Sequence, residues 1–485
     1  MRVAILHYHF QRGGVTKVVE ATLRALAEDQ SDHQIALFSG GDPTNEALPG
    51  VHHVPGLGYS DSSPNDPATL LDRFQNTVTE VLGAPPDLWH IHNPTLGKNG
   101  AFPDLISGIA ARGDRILLHL HDFAEDGRPQ NYRFRSAHAS NPDHIFPLGH
   151  GIHYAVLNRR DHRFLTSAGL PTEQCHLLAN PVECPSEPPL ATGIHPPLEF
   201  LQGRHLQLYP VRALRRKNLG ELLLLAALSP AGSLFATSLG PTNPAFQSTW
   251  EKWQAFTSSR KLPVLLGLNQ SGSYPFLQLV EAARAIVTTS IAEGFGLGFL
   301  EPWISSKPVW GRDLPEITTD FLETGVRLPN LYHSLPIPHS WLDLPALYQR
   351  FSIAFSKLAE AYCLPSHALC DASGWSQWLG EETIDFGKLD EIAQMEVIDQ
   401  IIAEKVEPPQ SLRQTLIQPL PDSQLIAHNR SVIAASFSPQ NYCSRLLLIW
   451  EKILADPPPA KLEWIPTQRL LRAFLNPSHL SLLQI

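Results

Sequence analysis

Cysteine and methionine are scarce in this chain of 485 residues, with five of one and two of the other. The thiols, Cys175, Cys184, Cys363, Cys370 and Cys443, form no Cys-x-x-Cys pair and no zinc or disulfide spacing. A disulfide framework is therefore excluded, and a reducing compartment is expected, where free Cys is a small core residue. Charge is sparse and tilted: 37 Lys and Arg stand against 47 Asp and Glu, a formal net charge of −10. That balance argues against nucleic acid as a partner. Long apolar runs are missing too. The richest, Leu219–Leu228, is broken by Glu221, so no transmembrane segment is expected. Met1-Arg2 leads into Val3–Leu6 and polar histidines, a first strand too short for a signal peptide. The expected location is cytoplasmic. The sequons at Asn269 and Asn429 are read as chance matches. There is no His-Glu-x-x-His and no Asp-x-Asp metal site, and the 22 histidines look scattered, defining no metal cage. Asp385-Phe-Gly387 spells a kinase tripeptide, but no His-Arg-Asp loop precedes it.

What is present is alternation. The length calls for two or more domains. Short apolar strands and helical patterns alternate over residues 1–185, as in a parallel α/β domain. Val3–Leu6, Gln34–Ser39, Leu88–His92, Ile116–His121, Tyr154–Leu157 and His176–Leu178 read as strands, and Val15–Leu26 as a helix. Leu57–Pro67 reads as a surface loop. Prolines from Pro181 to Pro197 mark a linker, taken as 186–204. A second series fills 205–325, with strands at Leu206–Val211, Leu234–Ser238, Val264–Leu266 and Lys307–Trp310, and helices at Leu219–Ala227 and Phe276–Arg284. Residues 326–437 turn helical and proline-punctuated, with helices at Pro345–Ala361 and Leu389–Ile402 and a loop at Pro408–Pro421. Ser438–Leu454 is the last strong helix, within a terminal segment 438–485.

Three segments carry chemistry. Glu293-Gly-Phe-Gly-Leu-Gly-Phe-Leu-Glu301 follows the apolar stretch Ala285–Ser290. Strand, glycine-rich turn and helix bring backbone N–H groups to a phosphate, and the two carboxylates accept from hydroxyls. Phosphate plus many hydroxyls describes a nucleotide sugar. Arg212 and Lys217, at a strand end, suit two negative charges. Arg12-Gly13-Gly14, after the first strand, allows close approach of a phosphate or sugar.

The first of these resembles the Glu-x7-Glu motif of retaining glycosyltransferases with the GT-B fold, glycosyltransferase family four. Arg212 and Lys217 stand about eighty residues earlier, as in that family. The resemblance implies two Rossmann-like domains facing across a cleft, the first for the acceptor and the second for the donor. The terminal helix would cross back to the first domain, and 326–437 would be a helix-rich extension of the second. It implies that Glu301 meets the ribose and Glu293 the transferred sugar. Gly294, Phe295, Gly296 and Leu297 would offer amides to the diphosphate, and Gly13 and Gly14, taken as donor-binding, would face the donor diphosphate or the acceptor. His121, in Leu118-His-Leu-His-Asp-Phe123, takes the place of a strand-end His at the donor sugar. His119 is assigned to the opposite face, packed in the sheet. Asn180-Pro-Val182 matches a structural family segment. His92, Asn93, Asp122 and Arg128 are candidate acceptor residues, and Arg133 and Arg135 join Arg128 as candidates for a phosphate- or carboxylate-bearing acceptor. The implied enzyme is a retaining hexosyltransferase. It would use UDP-glucose first and GDP-mannose next, act on a small-molecule or glycan acceptor, and require neither metal nor cofactor. A sugar phosphorylase and a non-catalytic nucleotide-sugar-binding protein are the alternatives.

Overall fold

The computed structural model describes residues 1–28, 32–60, 66–184, 198–408, 412 and 422–485. Most of the proline-rich linker therefore lies outside the described residues, as do residues 61–65 of the expected loop and nearly all of Pro408–Pro421. Contacts divide the chain into two compact units. The first holds Met1–Pro181, Leu358–Pro365 and Phe437–Asn476; the second holds Val182–Lys357, Ser366–Ser436 and Pro477–Ile485.

Unit one is built on β1 (Arg2–Leu6), β2 (Gln34–Ser39), β3 (Val51–His53), β4 (Leu88–His92), β5 (Ile116–Leu120), β6 (Pro147–Leu148), β7 (Ile152–Val156) and β8 (Cys175–Leu177). Seven of them form a parallel sheet in the order β3-β2-β1-β4-β5-β7-β8, while β6 pairs antiparallel with the short Glu463–Trp464 strand. β4, β5 and β7 are buried along their whole length, as strands covered on both faces are. The covering helices carry their own start signals. Asp66 accepts from the Thr69 N–H and Pro67 opens the helix Pro67–Leu82, which stops at left-handed Gly83. Ser438 caps the helix Pro439–Ala455. That helix lays Tyr442, Leu446, Ile449, Trp450 and Ile453 on Val3, Ile5 and Leu117 of the sheet.

Unit two repeats the plan with β9 (His205–Arg212), β10 (Ser233–Leu239), β11 (Val264–Leu265), β12 (Ala283–Thr288), β13 (Val309–Arg312) and β14 (Leu331–Tyr332). The order is β11-β10-β9-β12-β13-β14, all parallel. The expected helix Phe276–Arg284 ends at Ala282, because Ala283 already joins β12.

Both sheets reverse direction in the same way. The chain lays β1, β2 and β3 outward, then returns to β4 on the other side of β1; β9, β10, β11 and β12 do likewise. In doubly wound sheets ligands bind beyond the carboxyl ends of the strands where the order reverses. Those places are the ends of β1 and β4 in unit one and of β9 and β12 in unit two.

Candidate functional site

In unit two the loop after β9 is stapled to the loop after β12. Arg215–Lys217 forms one tight turn, closed by Asn218 at φ 50. The Ile291 N–H donates to the Arg216 carbonyl at 2.9 Å, and the Thr289 hydroxyl to the Lys217 carbonyl at 2.9 Å. Arg216 returns from its guanidinium, Nη1 donating to the Ala292 carbonyl at 2.7 Å and to Glu293 Oε2 at 2.9 Å. The Lys217 ammonium pairs with Glu293 Oε1. Burial pushes the Glu293 carboxyl up, but Lys217 and then Arg216 outweigh it and hold the group below its usual range. Burial lowers Lys217, with Glu293 opposing. Glu293 is thus an ionised carboxylate in a two-cation fork at the switch point.

The other basic residues go elsewhere. Arg212 is exposed and donates to the Thr242 hydroxyl at 3.3 Å. Arg215 turns to Glu391, at 2.7 and 3.1 Å, and to the carbonyls of Leu482 and Ile485. In the glycine turn, Phe295 is buried edge-on against Phe321, which takes its side chain out of reach of a ligand. Gly296 has φ 91, and a Cβ there would fall 2.8 Å from Ile317 Cγ2 and 3.0 Å from the Phe299 ring. The helix expected after this turn is a single turn, Glu301–Ile304, behind a 3-10 turn at Leu297–Phe299. So short a helix supplies little of the expected dipole. Glu301 opens it and is exposed.

In unit one, Gly13 and Gly14 lead into the helix Gly14–Glu28. A Cβ on Gly13 would meet nothing nearer than 3.7 Å and one on Gly14 nothing within 4 Å. The backbone does not require glycine at either position, so the space beside them is open.

At the ends of β4 and β5, Asn93 is the organising residue. Its backbone is left-handed, φ 51, a conformation Asn tolerates. Its Oδ1 accepts from the His121 N–H at 2.7 Å and the Asp122 N–H at 3.0 Å, and its Nδ2 donates to Asp122 Oδ2 at 3.4 Å. Asp122 pairs with Arg128 at 2.5 Å. The Arg128 N–H donates to the Tyr362 hydroxyl at 2.8 Å, which donates to the Ala124 carbonyl. His92, Asn93, Asp122, Arg128 and His121 are thus brought together. Arg135 is not: it is fully buried against Glu125 at 2.6 Å, an internal ion pair rather than an acceptor residue. Arg133 is exposed on the helix Pro129–His138.

The histidines correct two expectations. His119 does not sit opposite His121. Residues two apart on a strand share a face, and the two rings stack at 4.1 Å. His90 and His92 stack in the same way at 4.3 Å. Nor are the histidines scattered: His90, His92 and His119 each bring a ring nitrogen within 4.8 Å of the others. Four of the ring nitrogens meet one another in pairs, while His90 Nδ1, His92 Nε2 and His119 Nε2 are buried with no hydrogen-bond partner among the described residues. His90 Nε2 meets His119 Nδ1 at 3.2 Å with the rings 12° from parallel and their centres 5.4 Å apart, the end-to-end geometry of an N–H···N bond. His92 Nδ1 meets His121 Nε2 likewise at 2.9 Å. Within each pair one nitrogen donates and the other accepts, so the array is two hydrogen-bonded imidazole pairs that leave three buried ring nitrogens unpartnered among the described residues. Burial lowers His90 to about 3 and His121 to about 4, and holds His92 and His119 well below their usual value.

Asp385-Phe-Gly387 also finds its place. Asp385 accepts from Arg312 at 2.7 and 2.9 Å and caps its own turn at the Gly387 N–H. Arg216, Asn93 as a clamp, Tyr362 and the paired histidines were not picked out from sequence. Only Arg216 had a signal, as one of three consecutive cations.

No family model matches the sequence. The mannosylglucosyl-3-phosphoglycerate synthase of Petrotoga mobilis is 27% identical over 340 residues, 65% of this chain and 66% of that protein. The match therefore spans just under two thirds of that relative's length. Among solved structures, Anabaena HepE with UDP and glucose superposes with a TM-score of 0.52 at 13% identity, covering 93% of this chain and 99% of that one. Sucrose-phosphate synthase from Thermosynechococcus elongatus gives 0.51 at 15% identity, covering 94% and 99%. A Rickettsia africae glycosyltransferase gives 0.52 at 13%, covering 94% and 98%. The two Rossmann-like sheets are those of the GT-B fold.

Proposed function

We propose that this protein is a glycosyltransferase that moves a hexose from a nucleoside diphosphate sugar to an acceptor hydroxyl. UDP-glucose is the first choice of donor and GDP-mannose the second; anomeric configuration is retained and no metal is required. The observation that carries the reading is the Glu293 carboxylate forked between Lys217 and Arg216 at the reversal of the second sheet. A diphosphate entering there would compete with Glu293 for Lys217, and the freed carboxylate oxygen would accept from a sugar hydroxyl. Arg212, exposed at the end of β9, would add a second cation, and the Gly294–Leu297 amides would meet charge as it develops on the leaving diphosphate. Glu301 would take the ribose hydroxyls. His121, neutral at pH 7, would offer hydrogen bonding rather than charge to the sugar. A leaving phosphate oxygen would accept the acceptor proton, so no protein nucleophile is needed.

The relative's name supports an acceptor of phosphoglycerate type, and no helix among the described residues is long and apolar enough to cross a membrane. Calorimetric titration with UDP, GDP, ADP and their sugars, without metal, tests the reading. Saturable binding of one nucleotide series, weakened in Lys217→Gln, is expected. Binding of phosphate or a sugar phosphate with no nucleotide would overturn it.

A further inference from the structure

Two loops stand at the carboxyl edge of the first sheet, residues 54–60 after β3 and residues 93–101 after β4. They are stitched together. Asn99 Nδ2 donates to the carbonyls of Gly56 and Gly58 at 2.8 and 2.7 Å, and the Ser60 N–H donates to the Lys98 carbonyl at 3.0 Å. The first loop is also pressed onto the turn after β2, where a Cβ on Gly40 would lie 1.9 Å from the Gly58 nitrogen. Tyr59 is carried on this fixed loop, yet 52% of it is exposed. Its ring stands edge-on to His9 at 4.8 Å and tilts against Tyr8 at 5.3 Å. A tyrosine mounted in this way loses little entropy on binding and offers a flat apolar face with a hydroxyl at its rim.

Lys98 places Nζ 5.4 Å from the centre of the Tyr59 ring. It is half-buried and forms no ion pair among the described residues. The neighbouring cations are neutralised: Arg128 by Asp122, Arg135 by Glu125, and Arg160 by Asp126 and Asp161. The Asp122 and Arg128 charges both act on the Tyr59 hydroxyl, so that ion pair borders the same ring. A half-buried ammonium with no counter-charge among the described residues, beside an aromatic face at a sheet's ligand edge, favours an oxyanion supplied from outside.

We propose that Tyr59 and Lys98 form the acceptor subsite. It would take a small hydroxylated molecule bearing a phosphate or carboxylate, with the carbon skeleton on the Tyr59 face and the anion on Lys98. The role as acceptor subsite rests on the transferase reading; the binding of the anion does not. The sequence instead suggested Arg128, Arg133 and Arg135 for this task. The first is paired with Asp122, the second stands on an exposed helix face, and the third is sealed in the core.

The test is calorimetry on the full chain with 3-phosphoglycerate, glycerate and glycerol, and with UDP in parallel. Wild type, Lys98→Gln, Lys98→Arg and Tyr59→Leu are compared. 3-Phosphoglycerate should bind and glycerol should not. Lys98→Gln should weaken the anion by on the order of tenfold, the low end for a hydrogen bond to a charge. Lys98→Arg should restore most of it, Tyr59→Leu should weaken it, and UDP should bind all four proteins alike. Glycerate binding as tightly as 3-phosphoglycerate would assign the carboxylate, and weaker binding the phosphate. Equal 3-phosphoglycerate affinity in wild type and Lys98→Gln would overturn the subsite, as would no anion binding while UDP binds normally. Absence of UDP binding, with the anion still lost in Lys98→Gln, would remove the transferase reading and keep the anion site.

Discussion

Arg312→Met removes the cation that joins two carboxylates in the core of unit two. Its side chain is 5% exposed. It donates to Glu221 at 2.6 to 3.0 Å and to Asp385 at 2.7 and 2.9 Å, and Tyr332 also donates to Glu221 at 2.8 Å. Glu221 is fully buried and Asp385 largely so. Removing the one partner of a buried pair leaves an uncompensated charge and costs about 3–5 kcal/mol. The loss should depend on pH in a definite sense. Burial already raises the Glu221 carboxyl, with Arg312 opposing; without Arg312 it rises further. A carboxyl raised in the folded state binds its proton more tightly there than in the unfolded chain. The folded state therefore gains as pH falls toward the unfolded value, and the deficit is larger at pH 7.5 than at pH 5. Urea unfolding followed by tryptophan fluorescence reads both quantities, and the triple variant Arg312→Met, Glu221→Gln, Asp385→Asn should recover much of the loss. A deficit below about 1 kcal/mol, or one equal at the two pH values, would show that the network does not carry the charge balance assigned to it.

Lys217→Gln should lower UDP affinity by about tenfold to a hundredfold in calorimetry, while Arg215→Gln, whose side chain faces Glu391, should leave it unchanged. Asn93→Ala leaves the His121 and Asp122 amides without their acceptor, at about 1–3 kcal/mol each, and should show as a lower unfolding midpoint together with reduced turnover. Gly296→Ala should lose nucleotide binding while the fold survives in circular dichroism, because the φ of 91 and the Ile317 contact displace the turn. Unit one should lose stability as pH falls from 6.5 toward 4. Its buried histidines titrate at depressed values in the folded state, so the unfolded chain takes up protons first, at about 1.4 kcal/mol per pH unit for each. A urea midpoint flat across that range would contradict their burial as neutral rings.

The second half of the candidate site was legible as a pair of loops because its elements are local. Glu293–Leu297 lies within one loop and Arg212–Lys217 spans the end of β9 and the turn after it, and short apolar strands announce where the chain reaches the edge of a sheet. The strands expected from sequence lie within a residue or two of their places for the same reason: β4, at Leu88–His92, is a continuous apolar and histidine run between Asp87 and Asn93, whereas the short strands β3, β6 and β14 gave no such run and were not expected. The helix expected after the glycine turn stops at Ile304 because Ser306 takes a left-handed backbone, φ 58, three residues before β13 begins, and a periodicity does not show that. His119 was misplaced although strand alternation alone puts it on the side of His121.

By itself the sequence determined the alternation of strands and helices, the two chemical loops of the second half and the absence of membrane-length apolar helices. Tertiary structure decided which charges remain available. Arg135, Arg128 and Arg215 look alike in sequence to Arg216 and Lys217, but Glu125, Asp122 and Glu391 claim the first three, two of them across ten or more residues of chain, while the last two share Glu293 at the ligand edge of the second sheet. Pairing depends on the register of strands and on loops distant in sequence, and burial decides whether a pair is neutralised or open to a ligand. That same register lines up His90, His92, His119 and His121, and brings Lys98 to a tyrosine from another loop.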